Sequence, residues 1–502
     1  MDDGIRMNSP VLSGQHVEQV RSVREQREEQ PLYVTRIKVY PRRVEGLYRR
    51  IKWTILGLCL GLYYLVPWLR WDRGPGAPDQ AILLDLPGRR GYFFWIEIWP
   101  QEVYFITGLL ILGAVGLFFV TAYLGRVWCG YACPQTVWTD LFMLVERWIE
   151  GDRNARIKLD KSAGNSIKLV RKLAKHVAWI VIGAATGGAW VFYFTDAPAT
   201  FVEIFTGRAS LTVYLFVAAF TATTYTFAGW AREQVCTYMC PWPRFQAAMF
   251  DEDTFTVTYQ RQRGEPRGKH KSGTSWDGRG DCIDCDSCVA VCPTGIDIRD
   301  GQQLECIGCG LCIDACNTVM DKVGRPRGLI AFDTHANQQA KATGTSHHHR
   351  WIRPRPIIYA VVLVLVASIM LTALLMRSDV ELHVLRDRAP LYVTLSDGSI
   401  RNGYTVKILN KARETRIFDL AIHGLDHARV SVVGEEAQPV DDHVKLTAKP
   451  DSVATYRVYV AEPAGGKRVK PAREHNDIEF ILRDARQHAQ ARHETVFVAP
   501  KH

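Results

Sequence analysis

The first fifty residues have no early apolar core followed by a cleavage site, so no secretory signal peptide is expected. Also missing is the interleaving of aromatic and basic residues that marks nucleic-acid modules. A formal net charge of +10 therefore needs another partner. The basic residues cluster beside apolar runs, which points to a membrane surface and away from nucleic acid. Cysteine is absent after Cys316, which leaves the C-terminal region without a disulfide framework. Hydrophobic content of 47% beside a near-zero mean hydropathy averages greasy segments with very polar ones, so composition has to be read by region.

What is abundant, locally, is cysteine. Eight of the thirteen fall between Cys282 and Cys316, in the pattern C-x-x-C-x-x-C-x-x-x-C written twice. The first pass is Cys282, Cys285, Cys288 and Cys292, followed by Pro293. The second is Cys306, Cys309, Cys312 and Cys316, followed by Asn317. In bacterial ferredoxins such a run holds two 4Fe-4S clusters, and the fourth cysteine of each pass ligates the other cluster. The expected sets are Cys282, Cys285, Cys288 and Cys316 for one cluster, and Cys306, Cys309, Cys312 and Cys292 for the other. Sulfur suits the task because it is soft and donates to both iron oxidation states. Structural zinc competes weakly, and a disulfide framework more weakly, because the runs fit no small secreted domain.

Residues 1–30 are polar with little periodicity and read as a mobile tail. From Pro31 to Lys52 the chain is strongly basic, with Arg36, Lys38, Arg42, Arg43, Arg49, Arg50 and Lys52 directly before the first apolar run. Five segments are expected to span a bilayer: Trp53–Leu69, Val103–Leu124, Val177–Thr195, Ala209–Ala231 and Ile357–Met376. The first is short and contains Pro67; the other four carry no formal charge. Cys59, inside the first, reads as a packing residue. The loop from Gly125 to Lys175 holds Arg126, Arg147, Arg153, Arg156, Lys158, Lys161, Lys168, Arg171, Lys172 and Lys175, whereas Asp196 to Arg208 holds Arg208 alone. Basic loops stay inside. The N-terminus and residues 232–355 are thus expected in the cytoplasm, and everything after Met376 outside.

A second cysteine pattern sits at two of the inner helix ends. Cys129-Gly130-Tyr131-Ala132-Cys133-Pro134 follows the second span, and Cys236-Thr237-Tyr238-Met239-Cys240-Pro241 follows the fourth. Cysteines four apart share a helix face, and the proline tends to end or kink the helix there. Both spans exit inward, so the four thiols can meet as metal ligands or redox thiols; packing at helix ends is the bland alternative. His176 opens the third span on that side and Met239 lies within the second pair; imidazole and thioether are both copper ligands. His347, His348 and His349 read as a solvated patch, and Glu146 and Glu150 as part of an amphipathic segment without chemistry.

After Val380, alternating runs such as Leu391–Leu395, Tyr404–Leu409, Ala454–Val460 and Asp477–Leu482 are separated by turn residues such as Asp397-Gly398. Short strands at this spacing predict an immunoglobulin-like β-sandwich. It has no convergent catalytic set, which suits an interaction or positioning module. The fold class is therefore a multi-pass α-helical membrane protein with an inserted two-cluster ferredoxin-like domain and a C-terminal sandwich. The expected divisions are 1–52, 53–231, 232–355, 356–376 and 377–502.

The chain resembles the cytochrome c oxidase accessory protein family, CcoG or FixG, membrane-bound polyferredoxins, over nearly its whole length. The resemblance is carried by Val39-Tyr40-Pro41-Arg42, Trp99-Pro100-Gln101, Cys129 to Trp138, the second C-x-x-x-C-P, Cys292-Pro293-Thr294-Gly295-Ile296-Asp297-Ile298-Arg299, and Gly403 between Asn402 and Tyr404. Asn317 departs from the ferredoxin proline at that place. The resemblance implies a bacterial inner-membrane protein that reduces Cu(II) to Cu(I) in assembling cbb3-type oxidases. Oxidase subunits or copper-delivery factors would be its partners, with an unidentified electron donor. On that reading Cys129, Cys133, Cys236 and Cys240, with His176 and Met239, hold copper. Two alternatives stand beside it: a quinol-dehydrogenase-like polyferredoxin, and a scaffold without catalysis.

Overall fold

The computed structural model describes residues 38–74, 76–270, 275–425, 427–434, 443–463, 475–484 and 490–500. The expected tail over residues 1–30, and Pro31 and Arg36 of the basic stretch, lie outside them. The principal elements open with helix α1 (Leu47–Leu65), strands β1 (Ile82–Asp85), β2 (Arg90–Phe93) and β3 (Ile96–Ile98), then helices α2 (Tyr104–Leu124), α3 (Pro134–Glu150), α4 (Arg153–Lys161), α5 (Ser166–Val191), α6 (Leu211–Thr224) and α7 (Trp242–Met249). Strand β4 (Thr256–Tyr259), helices α8 (Ser287–Val291) and α9 (Leu311–Lys322), strand β5 (Ile330–Asp333) and helix α10 (Pro354–Leu375) follow. Strands β6 (Val380–Arg386), β7 (Val393–Thr394), β8 (Ile400–Asn410), β9 (Arg416–His423), β10 (Arg429–Val432), β11 (His443–Ala448), β12 (Ser452–Glu462), β13 (His475–Asp484) and β14 (Gln490–Val498) close the chain. Two compact units result: residues 1–67 with 114–360, and residues 68–113 with 361–502.

Among the described residues, four helical segments are long and apolar enough to cross a membrane: Leu47–Trp68, Pro100–Leu124, Leu211–Ala231 and Pro354–Leu375. The first ends in a single tight turn at Val66–Trp68, where Pro67 interrupts α1. The remaining expected span lies in α5, whose first turns carry Lys168, Arg171, Lys172 and Lys175, leaving an apolar stretch from Val177 to Val191. Helix α5 packs tightly on α6 through small residues. A Cβ on Gly187 would stand 2.7 Å from the Val217 carbonyl oxygen, and one on Gly183 3.1 Å from that of Thr221. Such close backbone approach is how helices associate where lipid removes the hydrophobic drive.

Amphipathic α3 turns three acids inward: Asp140, Glu146 and Glu150 are all buried. An uncompensated buried carboxylate is costly, and each has at least two cations. Asp140 meets Arg49 at 3.0 Å and Lys52 at 3.2 Å. Glu146 meets Arg156 at 2.6 Å, Arg232 at 3.0 Å and Lys175 at 3.5 Å. Glu150 meets Lys175 at 2.9 Å and Lys172 at 3.0 Å. Burial opposes ionisation of Asp140, yet Lys52 and Arg49 outweigh it and hold the carboxyl below its ordinary range. This network fastens α1, α4 and α5 to α3.

In the second unit, β1–β2–β3 form a small antiparallel sheet. The sandwich consists of one sheet ordered β10–β12–β8–β6, with β7 on β8, and a second ordered β11–β9–β13–β14. Period-two burial along β8 turns Tyr404, Val406 and Ile408 into a core shared with Phe418, Leu420, Phe480 and Leu482. Buried Asn402 donates to the Val498 carbonyl at 3.1 Å, and the Tyr404 hydroxyl to that of Val496 at 3.0 Å, tying the sheets together. Gly403 between them faces outward, where a Cβ would fall 2.3 Å from Asp387 Oδ2. Its lack of a side chain admits the Asp387–Arg457 ion pair.

Candidate electron-transfer and metal site

Strands β4 and β5 pair antiparallel, Thr256 to Asp333 through Tyr259 to Ile330, and between them the two cysteine passes form similar loop-and-helix units. In each loop the second and fourth residues after the first cysteine have positive φ: Asp284 (52°) and Asp286 (53°), then Gly308 (68°) and Gly310 (71°). Alternating left-handed residues turn successive backbone N–H groups into a concave nest suited to anionic sulfur. Asp tolerates this conformation better than most residues. Here Asp284 and Asp286 are further held by Arg299, at 2.7 Å and 2.6 Å. Glycine fills the second loop because that loop is pressed against the helices. A Cβ on Gly310 would lie 2.8 Å from Tyr48 Cγ, and one on Gly308 3.3 Å from Arg126 Cβ.

Two cavities separate the eight cysteines. Cys282, Cys285, Cys288 and Cys316 line one, with Tyr259, Met320 and Ile330. Cys292, Cys306, Cys309 and Cys312 line the other, which Cys288 also touches. Electrostatics groups them similarly. After burial, Cys316 is raised most by Cys288, Cys282 and Cys285, and Cys312 by Cys309, Cys306 and Cys292. No three His, Cys, Asp or Glu side chains among the described residues are spaced for a single metal ion; a four-iron cubane needs wider spacing. Each cavity thus offers four soft donors in an apolar shell, which fits a 4Fe-4S cluster. Helix α9 runs on through Lys322, so residue 317 is mid-helix and needs its N–H. Asn317 supplies it and accepts from the Gly328 N–H at 2.9 Å, whereas α8 stops at Val291, leaving room for Pro293.

Both C-x-x-x-C segments wind as π-helical turns, Trp128–Ala132 and Val235–Met239, instead of α-helix. The turns close with Cys133 N to Trp128 O at 2.9 Å and Cys240 N to Val235 O at 2.7 Å. Pro134 and Pro241 follow and cannot donate, so each turn ends there. Such wide turns are frequent at functional sites. The two pairs lie near enough to act on one another, since Cys133, Cys236 and Cys240 all raise Cys129, but no three of the thiols are spaced for a single metal ion. Burial pushes Cys129 and Cys236 up to about 12, and Cys133 adds to the rise in both. Cys129 Sγ donates to Gln246 Oε1 at 3.1 Å, a fully buried amide.

These thiols pack on the second cluster loop. Cys129 and Cys236 share one apolar cluster with Ile307, Cys309 and Cys312. A Cβ on Gly130 would lie 3.0 Å from Cys309 Cα. The Tyr131 hydroxyl donates to the Cys309 carbonyl at 3.0 Å. Arg126 donates to the carbonyls of Cys306 and Pro243, each at 3.0 Å. The matched tyrosines diverge: Tyr131 is buried and Tyr238 is 74% exposed. His176 is elsewhere. It lines a cleft with Lys38, Asp160, Lys172 and Trp230 that none of the four cysteines enters, and its Nδ1 meets the Tyr225 hydroxyl at 2.9 Å. Met239 is exposed beside the second pair. His347 pairs with Asp253 at 2.6 Å, so the histidine run is not merely solvated. Arg126, Gln246 and the acids of α3 were not singled out as site residues by sequence. Arg126 entered only as one charge in a basic loop.

The fold and the cysteine architecture define a membrane-embedded dicluster iron-sulfur protein with an immunoglobulin-like C-terminal domain. Three family models match: a 4Fe-4S dicluster domain over residues 231–335, a 4Fe-4S binding domain over 106–152, and the IG-like fold at the C-terminus of FixG over 370–500. Protein RdxB of Cereibacter sphaeroides is 51% identical, covering 93% of this chain and 97% of that protein. Nitrogen fixation protein FixG of Rhizobium meliloti is 48% identical, covering 87% and 88%. A crystal structure of a FixG-related protein from Vibrio parahaemolyticus matches 25% of the chain and 100% of its own, at 22% identity and a TM-score of 0.20. The chain belongs to the FixG and RdxB family.

Proposed function

We propose that the chain delivers electrons to copper at the membrane edge, reducing Cu(II) to Cu(I) for assembly of a cbb3-type cytochrome c oxidase. The observation that carries this reading is the packing of the C-x-x-x-C turns on the loop of Cys306, Cys309 and Cys312, through Gly130, Tyr131 and Arg126. Cys282, Cys285, Cys288 and Cys316 hold one cluster, and Cys306, Cys309, Cys312 and Cys292 the other. The clusters, when bound, supply single electrons. The chain's own residues set the direction. Cys285 is exposed, giving a donor access to the first loop, whereas Cys309 is buried against the helix ends. Cys129, Cys133, Cys236 and Cys240 receive copper as substrate, and their soft sulfur favours the cuprous product. Met239 offers a thioether at the outer side; His176, in its separate cleft, is left out of the site.

In this reading the cluster domain and N-terminus face the cytoplasm and the sandwich faces the periplasm, where it grips an oxidase subunit or a copper-delivery factor. Charge asymmetry across the loops supports that sidedness. The test is cupric turnover with a chemical reductant. Replacing Cys129 with Cys133, or Cys236 with Cys240, by serine is expected to abolish Cu(I) formation while the iron-sulfur absorbance persists. Normal turnover in a variant lacking all four would end the proposal.

One observation favours a second reading. The 4Fe-4S binding model over residues 106–152 covers a segment whose cysteines are Cys129 and Cys133 alone, so the four membrane-edge thiols would hold a third cluster. Iron analysis separates the two: about eight irons per chain for copper at the thiols, about twelve for a third cluster.

A further inference from the structure

A second charged cleft opens on the other side of α3 from the acids' partners on α5, between the start of α1 and the end of α3. It offers about 730 Å³ and is lined by Arg43, Arg49, Arg50, Arg147, Trp53 and Trp148, among others. Its acids are Glu45 and Asp152. Glu45 pairs with Arg43 at 2.9 Å, and Asp152 accepts the Arg43 N–H at 3.0 Å. Arg49 is 6% exposed and spends Nη1 on Asp140, but its Nη2 is buried with no hydrogen-bond partner. Arg147 Nε is likewise buried and unpartnered, and Arg147 makes no ion pair among the described residues. Burial and the nearby Arg49 depress Arg147 to about 10. Asp140 meets one end of Arg49, and Asp140 and Asp152 draw Arg147 only at longer range, so each guanidinium keeps a donor that no acceptor among the described residues takes.

The free donors call for a compact anion with several acceptor oxygens. Guanidinium forks match phosphate in geometry and in charge. The N-terminal N–H groups of α1 are not the receptors, since Asp314 takes those of Tyr48 and Arg49 at 3.3 Å and 2.8 Å. The surroundings identify the source of the phosphate. Trp53 lies under Arg49, 4.1 Å from its ring centroid to the guanidinium carbon, and Trp148 is 76% exposed, as tryptophan is at bilayer interfaces. From exposed Arg50, steps of four and three residues along α1 lead to Leu58, Leu62 and Leu65, all exposed on a helix apolar enough to span a membrane. That stripe suits acyl chains and offers nothing to a free ion.

We propose that this cleft binds the phosphate of an anionic membrane phospholipid, with Arg49 and Arg147 as its donors and the outer stripe of α1 as its acyl-chain rail. The proposal is independent of what the membrane-edge thiols bind. It is tested with the full-length, cluster-loaded protein reconstituted in equimolar phosphatidylglycerol and phosphatidylcholine, released into mild detergent, and examined by native mass spectrometry for retained lipid. Phosphatidylglycerol should be retained over phosphatidylcholine, and Arg147→Gln should weaken that retention about tenfold, the scale of one charge-assisted hydrogen bond. Unchanged iron-sulfur absorbance reports that the variant has folded. Exposed Arg50→Gln gives a second variant that is safe for folding and should also lose preference. Equal retention of the two lipids, or a preference untouched by both variants, overturns the proposal. So does displacement of the lipid by inorganic phosphate, which would make the site one for a free ion.

Discussion

Asp286 and Gly310 hold the same place in the two cluster loops and the same left-handed backbone, yet only the glycine is forced, because Tyr48 stands where its side chain would go. One residue thus separates a loop that faces solvent from one that accepts a neighbour. Glu97 shows the opposite case, a charge admitted to a crowded place. It sits on β3 beside Arg90 at 3.2 Å, and Arg90 also pairs with Asp451 of the sandwich. Burial, then the Asp451 carboxylate, pushes Glu97 up to about 7, against the pull of Arg90. A raised acid favours the protonated form in the fold. Its stabilising contribution is therefore complete below the ordinary value of 4.5 and is lost as pH rises through about 7. The melting temperature of the intact protein should fall between about pH 5 and about pH 8. Glu97→Gln should flatten that slope, and an unchanged slope would show that another group governs it. Neither Glu97 nor Arg126 announces itself in the sequence, since each acquires its role only from residues hundreds of positions away or from a loop carbonyl.

Among the elements, α8 and α9 differ in length for a reason visible at Cys292 and Cys316, the last cysteine of each pass. The short helix ends before Cys292 and the long one carries Cys316 within it, so each fourth thiol is delivered beside the other loop's three. Replacing Cys292 by alanine should remove the cluster of Cys306, Cys309 and Cys312 and leave that of Cys282 intact. Iron would fall from about eight to about four per chain, with one of two paramagnetic signals surviving. Loss of the Cys282 signal instead would refute the crossed pairing. This part of the fold was legible because a ligand set tolerates little variation in spacing. The sandwich strands were legible because one face must be buried, which enforces alternation. Other elements were hidden. Strands β1–β3 are three or four residues long, too short for a period to emerge. Asp140, Glu146 and Glu150 follow the spacing of a solvated helix face, and only the folded arrangement reveals that their cations arrive from other helices. The π-helical winding of the two cysteine turns is hidden because four-residue cysteine spacing fits an α-helix equally well.

At the scale of the whole molecule, the meeting of Cys129 with Cys236 constrains how the chain crosses the membrane. Helices α2 and α6 each lead into a turn that bears a cysteine pair, so in the proposed topology α5 carries the chain back to the far end between them, although its basic first turns leave a short apolar stretch. In the proposed topology that makes five crossings and puts the two termini on opposite sides. A reporter active only outside the cytoplasm, fused after residue 502, should be active. Activity only of a cytoplasmic reporter there would reverse the topology. The unequal cover of the two cluster loops has a consequence for how the protein ages in air. Dioxygen meets the loop of exposed Cys285 long before it reaches the one sealed by Tyr48, Tyr131 and Arg126. Oxidative bleaching should therefore run in two phases, the outer cluster dying first and the inner one outliving it. A purified sample would then keep about half its colour after losing the cluster proposed to take in electrons.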